Sequence, residues 1–134
     1  MKDPRQSLGR RAEDAAAVAL ESAGYRVRAR RFRTRQGEID LVVEDRAGTV
    51  VFVEVKARSG TGYGDPAEAV DHRKRARLSR AAEAYLQARG ALERACRFDV
   101  VAVRSDPAGK LAVEHVVDAF RPESDRGWRR RPAR

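Results

Sequence analysis

The stretch GEIDLVVEDRAGTVVFVEVKAR, residues 37–58, decides the fold. Two runs in it alternate in kind, Glu38 to Glu44 and Val50 to Lys56, and a period of two is the mark of a strand with two different faces. Ile39, Leu41 and Val43 share one side of the first run. Val51, Val53 and Val55 share the matching side of the second, so that side is expected in the core. The opposite side then carries Glu38, Asp40 and Val42 from one strand and Phe52, Glu54 and Lys56 from the other. Arg46, Ala47 and Gly48 close the hairpin as a three-residue loop, with glycine where a bulged type I turn wants a left-handed residue. That register sets Asp40 against Glu54 and Glu38 beside Lys56, since a slip of one residue would oppose a core row to a charged one.

Two carboxylates facing each other destabilise a strand pair by roughly 0.2–1 kcal/mol, so stability alone does not account for Asp40 across from Glu54. A divalent cation reverses the sign, because Mg²⁺ takes one or two carboxylates together with water and phosphate oxygens. A lysine one pleat away reaches the same phosphate or the attacking water. This is the layout of a metal-dependent phosphodiesterase.

The pattern of Asp40, a hairpin turn and then Glu54-Val55-Lys56 resembles the PD-(D/E)xK nuclease superfamily. With GEIDLV before it, FVEVKAR in it, Gly64-Asp65-Pro66 after it and Arg97-Phe98-Asp99 later, the chain resembles the YraN family from about Gly9 to Val103. Those are small bacterial proteins predicted to be nucleases and similar to archaeal Holliday junction resolvases. The resemblance implies a restriction-endonuclease-like fold. It also implies Mg²⁺ or Mn²⁺ held by Asp40, Glu54 and the Val55 carbonyl, with Lys56 orienting or activating water. Glu13, in GRRAED, matches a glutamate that related resolvases bring from the first helix to the metal; read by itself it is a solvated helix residue. Arg73 and Lys74 match a basic pair of the family and are candidates for phosphate contact, where the plain reading is a wet helix face.

Outward from the hairpin, Ser7 to Ala23 reads as a helix capped by Ser7 and ended by Gly24, with Leu8, Ala12, Ala15 and Ala19 as its apolar stripe. Tyr25 to Arg35 reads as the first strand, Tyr25, Val27 and Ala29 alternating with Arg26, Arg28 and Arg30. That basic row either faces solvent or holds a nucleic-acid backbone. Beyond Arg58, itself a candidate nucleic-acid contact, Ser59 to Gly64 holds three glycines and reads as a loop, with Tyr63 free to stack on a base or simply part of a connector. Asp65-Pro66-Ala67-Glu68 has capping-box spacing. A helix is expected from Asp71 to Gly90 with Leu78, Ala82, Tyr85 and Leu86 inward and Arg73, Lys74, Arg75, Arg77 and Arg80 crowding its first half. Arg97 to Arg104 and Leu111 to Val117 read as strands around an Asp106–Gly109 turn. Asp99 either stands behind the metal ligands, as Glu38 could, or holds a local basic residue. His72 and His115 have no second ligand at zinc spacing.

At 134 residues the chain has room for one domain, expected over residues 1–120, with 121–134 a basic and disordered tail that either adds affinity for nucleic acid or is dispensable. The net charge of +9 suits an anionic partner, although an arginine-rich, alanine-rich composition also arises without one. Cys96, the only cysteine, excludes an internal disulfide and suits a reducing cytoplasm. No run approaches the eighteen or so apolar residues of a membrane span, and no signal peptide is evident.

The expectation is an α/β domain with a mixed five-stranded sheet flanked by helices, in the order α-β-β-β-α-β-β. The expected function is endonucleolytic hydrolysis of DNA phosphodiesters, including branched DNA such as a Holliday junction, for which two symmetric cuts would call for a homodimer. The competing readings are a non-catalytic nucleic-acid-binding module on the same fold and a basic scaffold for a protein partner.

Overall fold

A computed structural model describes residues 4–59, 66 and 70–121. Tyr63, most of the Asp65–Glu68 segment and the tail from 122 lie outside the described residues. The elements run α1 (Pro4–Ser22), β1 (Arg26–Arg33), β2 (Glu38–Glu44), β3 (Val50–Ser59), α2 (His72–Ala88), β4 (Cys96–Ser105) and β5 (Leu111–Phe120). They form one sheet in the order β1-β2-β3-β4-β5, antiparallel except for the β3–β4 pair. Parallel neighbours require a crossover, and the crossover from β3 to β4 contains α2. This is the expected mixed α/β sheet, a restriction-endonuclease-like fold.

The central hairpin closes as its composition dictates. Asp45 N–H donates to the Thr49 carbonyl across Arg46-Ala47-Gly48, and Gly48 has a φ of 88°. The ladder runs Glu44↔Val50, Val43↔Val51, Val42↔Phe52 and Leu41↔Val53. It stops one residue short of Asp40 and Glu54, which stand across from each other in the same register.

Each face of the sheet carries one helix and one core. Ala12, Ala16 and Leu20 of α1 cover Leu41, Val43, Val51, Val53, Val101 and Val103. Leu78, Ala82, Tyr85 and Leu86 of α2 cover Val42, Phe52, Phe98 and Val100 on the other face. The middle strands are therefore buried on both sides, and each fully buried valine, leucine or phenylalanine contributes about 1.5–3 kcal/mol of transfer free energy. Cys96 is buried, as expected.

Five details differ from the sequence reading. Helix α1 starts at Pro4 rather than Ser7, proline being well suited to a first helical position. Its buried stripe is Ala12, Ala16 and Leu20 with Ala17, while Ala15 and Ala19 are only half-buried; a run of alanines has no periodicity to point a face. Ile39 lies in the α2 core and not with Leu41. The pairs Arg30↔Leu41 and Phe32↔Ile39 bracket Arg31, which has a left-handed φ of 52°, so both strands roll at the Arg31–Asp40 position. A bulge between Val27 and Ala29 likewise sends Val27 to the α1 side and Ala29 to the α2 side. Strand β5 continues three residues past Val117, because an irregularity opposite Phe98–Val100 returns Phe120 to stack on Phe98, their centroids 4.9 Å apart.

Candidate active site at the end of the β2–β3 ladder

Where the ladder stops, a side chain replaces the next backbone acceptor. Val55 N–H donates to Asp40 Oδ2 at 2.8 Å, which anchors the carboxylate against β3 and fixes its position beside Glu54. Glu54 points to the α2 face, as its neighbour Phe52 does, and is only 4% exposed. Its Oε2 atom lies 3.2 Å from Lys56 Nζ and 3.4 Å from Lys74 Nζ. Its Oε1 atom is buried and has no hydrogen-bond partner among the described residues.

Lys56 reaches Glu54 by strand periodicity, two residues on along the same face. Lys74 arrives from the first turn of α2, whose start is fixed by Asp71: the Asp71 carboxylate accepts the Lys74 N–H at 2.8 Å as a helix cap. The two ammonium groups therefore converge on one carboxylate oxygen, and the other has no donor among the described residues.

The electrostatics follow from burial. Loss of water and then the Glu54 charge push the Asp40 carboxyl up to about 7; the Val55 N–H pulls the other way, and the Glu13 charge adds a smaller upward push. A proton kept on Asp40 is within hydrogen-bonding reach of Glu54. The orphaned Glu54 oxygen and the reluctant Asp40 carboxyl are both relieved by positive charge placed between the two acids, which is the condition a hard divalent cation meets. The residues fit such an ion through Asp40, Glu54 and the backbone carbonyl of Val55. Among the described residues, no group of three or more acidic, histidine or cysteine side chains is arranged to hold a metal by itself, so water or phosphate oxygens would complete the shell.

The remaining expected site residues separate into those near the acids and those elsewhere. Glu13 is half-buried and engaged: Arg31 Nε donates to its Oε1 at 2.9 Å. Arg31 itself is a residue that periodicity does not single out, although it stands across from Asp40 in a backbone conformation uncommon outside glycine. Glu38 pairs with Arg33 at 2.8 Å, not with Lys56. Arg73 is exposed on α2, and Arg58 is half-buried on β3.

Asp99 is not brought to the two acids. Its neighbours Val101 and Val103 mark the α1 side of the sheet, opposite the face of Glu54. It accepts bonds from Arg97 Nε at 3.0 Å and from Asp118 N–H at 2.9 Å, and sits 2.7 Å from His115 Nε2. Of its two readings the structure supports the holder of local basic residues. Burial works to raise its carboxyl, but those three bonds outweigh burial and hold it below the usual range. A cavity of about 540 Å³ lies at the other end of α2, lined by residues including Arg28, Glu44, Tyr85, Arg89 and Arg94, and includes none of the acids discussed.

Fold and site together define an α/β protein of the restriction-endonuclease-like class, with an aspartate, a glutamate and two lysines gathered where its sheet frays. The chain belongs to the uncharacterised protein family UPF0102, whose family model matches residues 12–103. This is the YraN family that the motifs resemble. It is 48% identical over 113 residues to a UPF0102 protein of Symbiobacterium thermophilum, covering 84% of this chain and 95% of that one. It is 50% identical over 122 residues to one from Halorhodospira halophila, covering 91% and 93%. Among solved structures, Pyrococcus furiosus SfsA in complex with Ca²⁺ is similar at a TM-score of 0.45 with 15% identity, over 81% of this chain and 63% of that one. Among the described residues no helix is long and apolar enough to cross a membrane.

Proposed function

We propose that the protein is a metal-dependent endonuclease acting on DNA phosphodiesters, with branched DNA such as a Holliday junction among its substrates. The observation that carries this reading is the Asp40–Glu54 pair: two acids held together by β2 and β3, one with a raised carboxyl, the other with a buried oxygen that has no donor among the described residues. A bound Mg²⁺ or Mn²⁺ would supply Lewis-acid polarisation of a phosphate and a water of lowered pKa.

The chain's own groups do the rest. Asp40, anchored by the Val55 N–H, presents its other oxygen beside Glu54 without needing to reorganise. Lys56 and Lys74 both compensate Glu54, and would be free to meet a scissile phosphate where a cation compensated that acid instead. Fixed ammonium groups at the site of developing negative charge stabilise the transition state more than the ground state.

The test is incubation with four-way, flap and linear DNA in Mg²⁺ or Mn²⁺ beside Asp40→Ala and Lys56→Ala. The expected result is cleavage by the wild type that drops at least about a hundredfold in each variant. If the wild type cuts nothing that the variants spare, the enzyme reading fails. One observation favours a second reading, a nucleic-acid-binding module without catalysis: Lys56 and Lys74 already balance Glu54 without a cation. On that reading DNA binds with steep salt dependence and no divalent ion changes it.

A further inference from the structure

We infer that the outer ridge of α2, formed by Arg73, Arg77 and Arg80, is the track along which the sugar-phosphate backbone of a nucleic acid runs into the Asp40–Glu54 site. The inference rests on the phosphodiesterase reading of that site, because it takes the strand's destination from it.

Two rows of arginine compete for this role in the sequence, and the structure separates them. On β1, four of the five arginines are engaged with acids: Arg28 with Glu44, Arg30 with Asp14, Arg31 with Glu13 and Arg33 with Glu38. On α2, Arg73, Arg77 and Arg80 are all exposed, and among the described residues none of the three makes an ion pair or hydrogen bond. Arg75, in the same run, is structural: its Nε donates to the Val70 carbonyl at 2.8 Å, and its guanidinium lies over the Phe120 ring.

Spacing makes the three a ridge. Positions i, i+4 and i+7 of a helix fall on one side, here the side away from buried Leu78, Ala82 and Tyr85. Arg73 to Arg80 spans about 10 Å at 1.5 Å per residue, the axial length of about three successive phosphates on one strand at 3.4 Å each. The ridge begins beside Lys74, whose ammonium touches Glu54, and the Arg77 stem passes Gly37 at the entrance to β2. Past Arg80 the same side carries Ala84 and Gln87, so the charge is concentrated at the site's end of the helix.

This arrangement works against the helix itself. Beyond the Asp71 cap the first turn of α2 carries no acid and the last turn no base, Arg73, Lys74 and Arg75 sit at the positive end of the macrodipole, which disfavours them, and like charges four residues apart repel by about 0.2–0.5 kcal/mol. An anionic partner laid along the ridge removes both penalties. A nucleic-acid strand is the polyanion that also brings a phosphodiester to the adjoining acids.

The experiment compares two triple variants with the same change in charge, Arg73→Gln/Arg77→Gln/Arg80→Gln and Arg28→Gln/Arg30→Gln/Arg33→Gln, each checked for native circular dichroism. Affinity for a fluorescent 20-base-pair duplex and for the single strand is measured in EDTA over a range of salt. The ridge variant is expected to lower the slope of log affinity against log salt by about 2–3 and the β1 variant by less than about 1, since each phosphate contact contributes about 0.7–0.9. Equal loss in both variants would mean net charge alone is read, and no loss in the ridge variant would mean the strand lies elsewhere; either overturns the inference. So does ridge-dependent binding to phosphatidylserine vesicles with DNA binding intact. Because EDTA removes the cation, a failure of cleavage leaves this result standing, and a failure here leaves the assignment of Asp40, Glu54 and Lys56 untouched.

Discussion

Asp40 accepts the Val55 hydrogen bond and still holds its proton to about pH 7, because burial and the Glu54 charge together outweigh that single donor. Its carboxyl is raised in the folded chain above the ordinary aspartate range, so the folded state binds the proton more tightly than the unfolded one. The stabilising contribution of the protonated form is then complete below about pH 4 and lost as the pH rises through about 7. Asparagine keeps the acceptor for Val55 and cannot ionise. In EDTA, Asp40→Asn is therefore expected to be more stable than the wild type at pH 8, by about 1 kcal/mol, the scale of one relieved like-charge contact, with the gap closing at pH 5. Urea unfolding at the two pH values measures it. A variant less stable at pH 8 would show that Asp40 is not repelled by Glu54.

Strand β4 shows what an element can and cannot tell in advance. Its apolar run was legible because both of its faces are covered, and so were the central hairpin, its three-residue turn, its register and the span of α2 from the Asp71 cap. Those features follow from neighbours in sequence. The roll that separates Ile39 from Leu41 depends on Arg31 across the ladder, and the convergence of Lys74 with Lys56 depends on where α2 packs. Neither has a local signal. Glu13, which the family resemblance and not its own spacing singled out, and Glu38 were not legible as partners of Arg31 and Arg33, since ion pairs between elements have no spacing of their own. Asp99 belongs to the same class: it binds Arg97 on its own strand, and His115 and the Asp118 amide on β5, tying the two strands at their irregular point. Its carboxyl is held low, so this stability is present above the ordinary aspartate range and lost as the pH falls. Removing it leaves buried Arg97 with the neutral Tyr25 hydroxyl at 2.6 Å and one longer carboxylate contact, Asp45 at 3.4 Å. Asp99→Ala is expected to cost about 3–5 kcal/mol in urea unfolding. A loss below about 1 kcal/mol would mean that the pair does not hold β4 to β5.

At the scale of the molecule the site is a meeting point of both layers. β2 supplies Asp40, β3 supplies Glu54 and Lys56, α2 reaches in with Lys74 from one face, and Glu13 of α1 makes its charge felt from the other. A cation seated between the two acids would therefore bind the folded chain and not the unfolded one, in which these residues are far apart. Such a ligand stabilises by about 2.7 kcal/mol at a hundred times its dissociation constant, which for a domain of this size is a rise in Tm of about 10 °C. The rise is expected with saturating Mn²⁺ at pH 8 and should shrink at pH 6, where the proton on Asp40 must first be displaced. In Asp40→Asn the pH dependence should vanish and most of the rise with it, because the remaining acid is already balanced by two lysines. Differential scanning calorimetry across the two proteins and the two pH values separates this from a general effect of ionic strength, which raises or lowers all four transitions alike. An equal rise in wild type and variant would place the cation somewhere other than between Asp40 and Glu54.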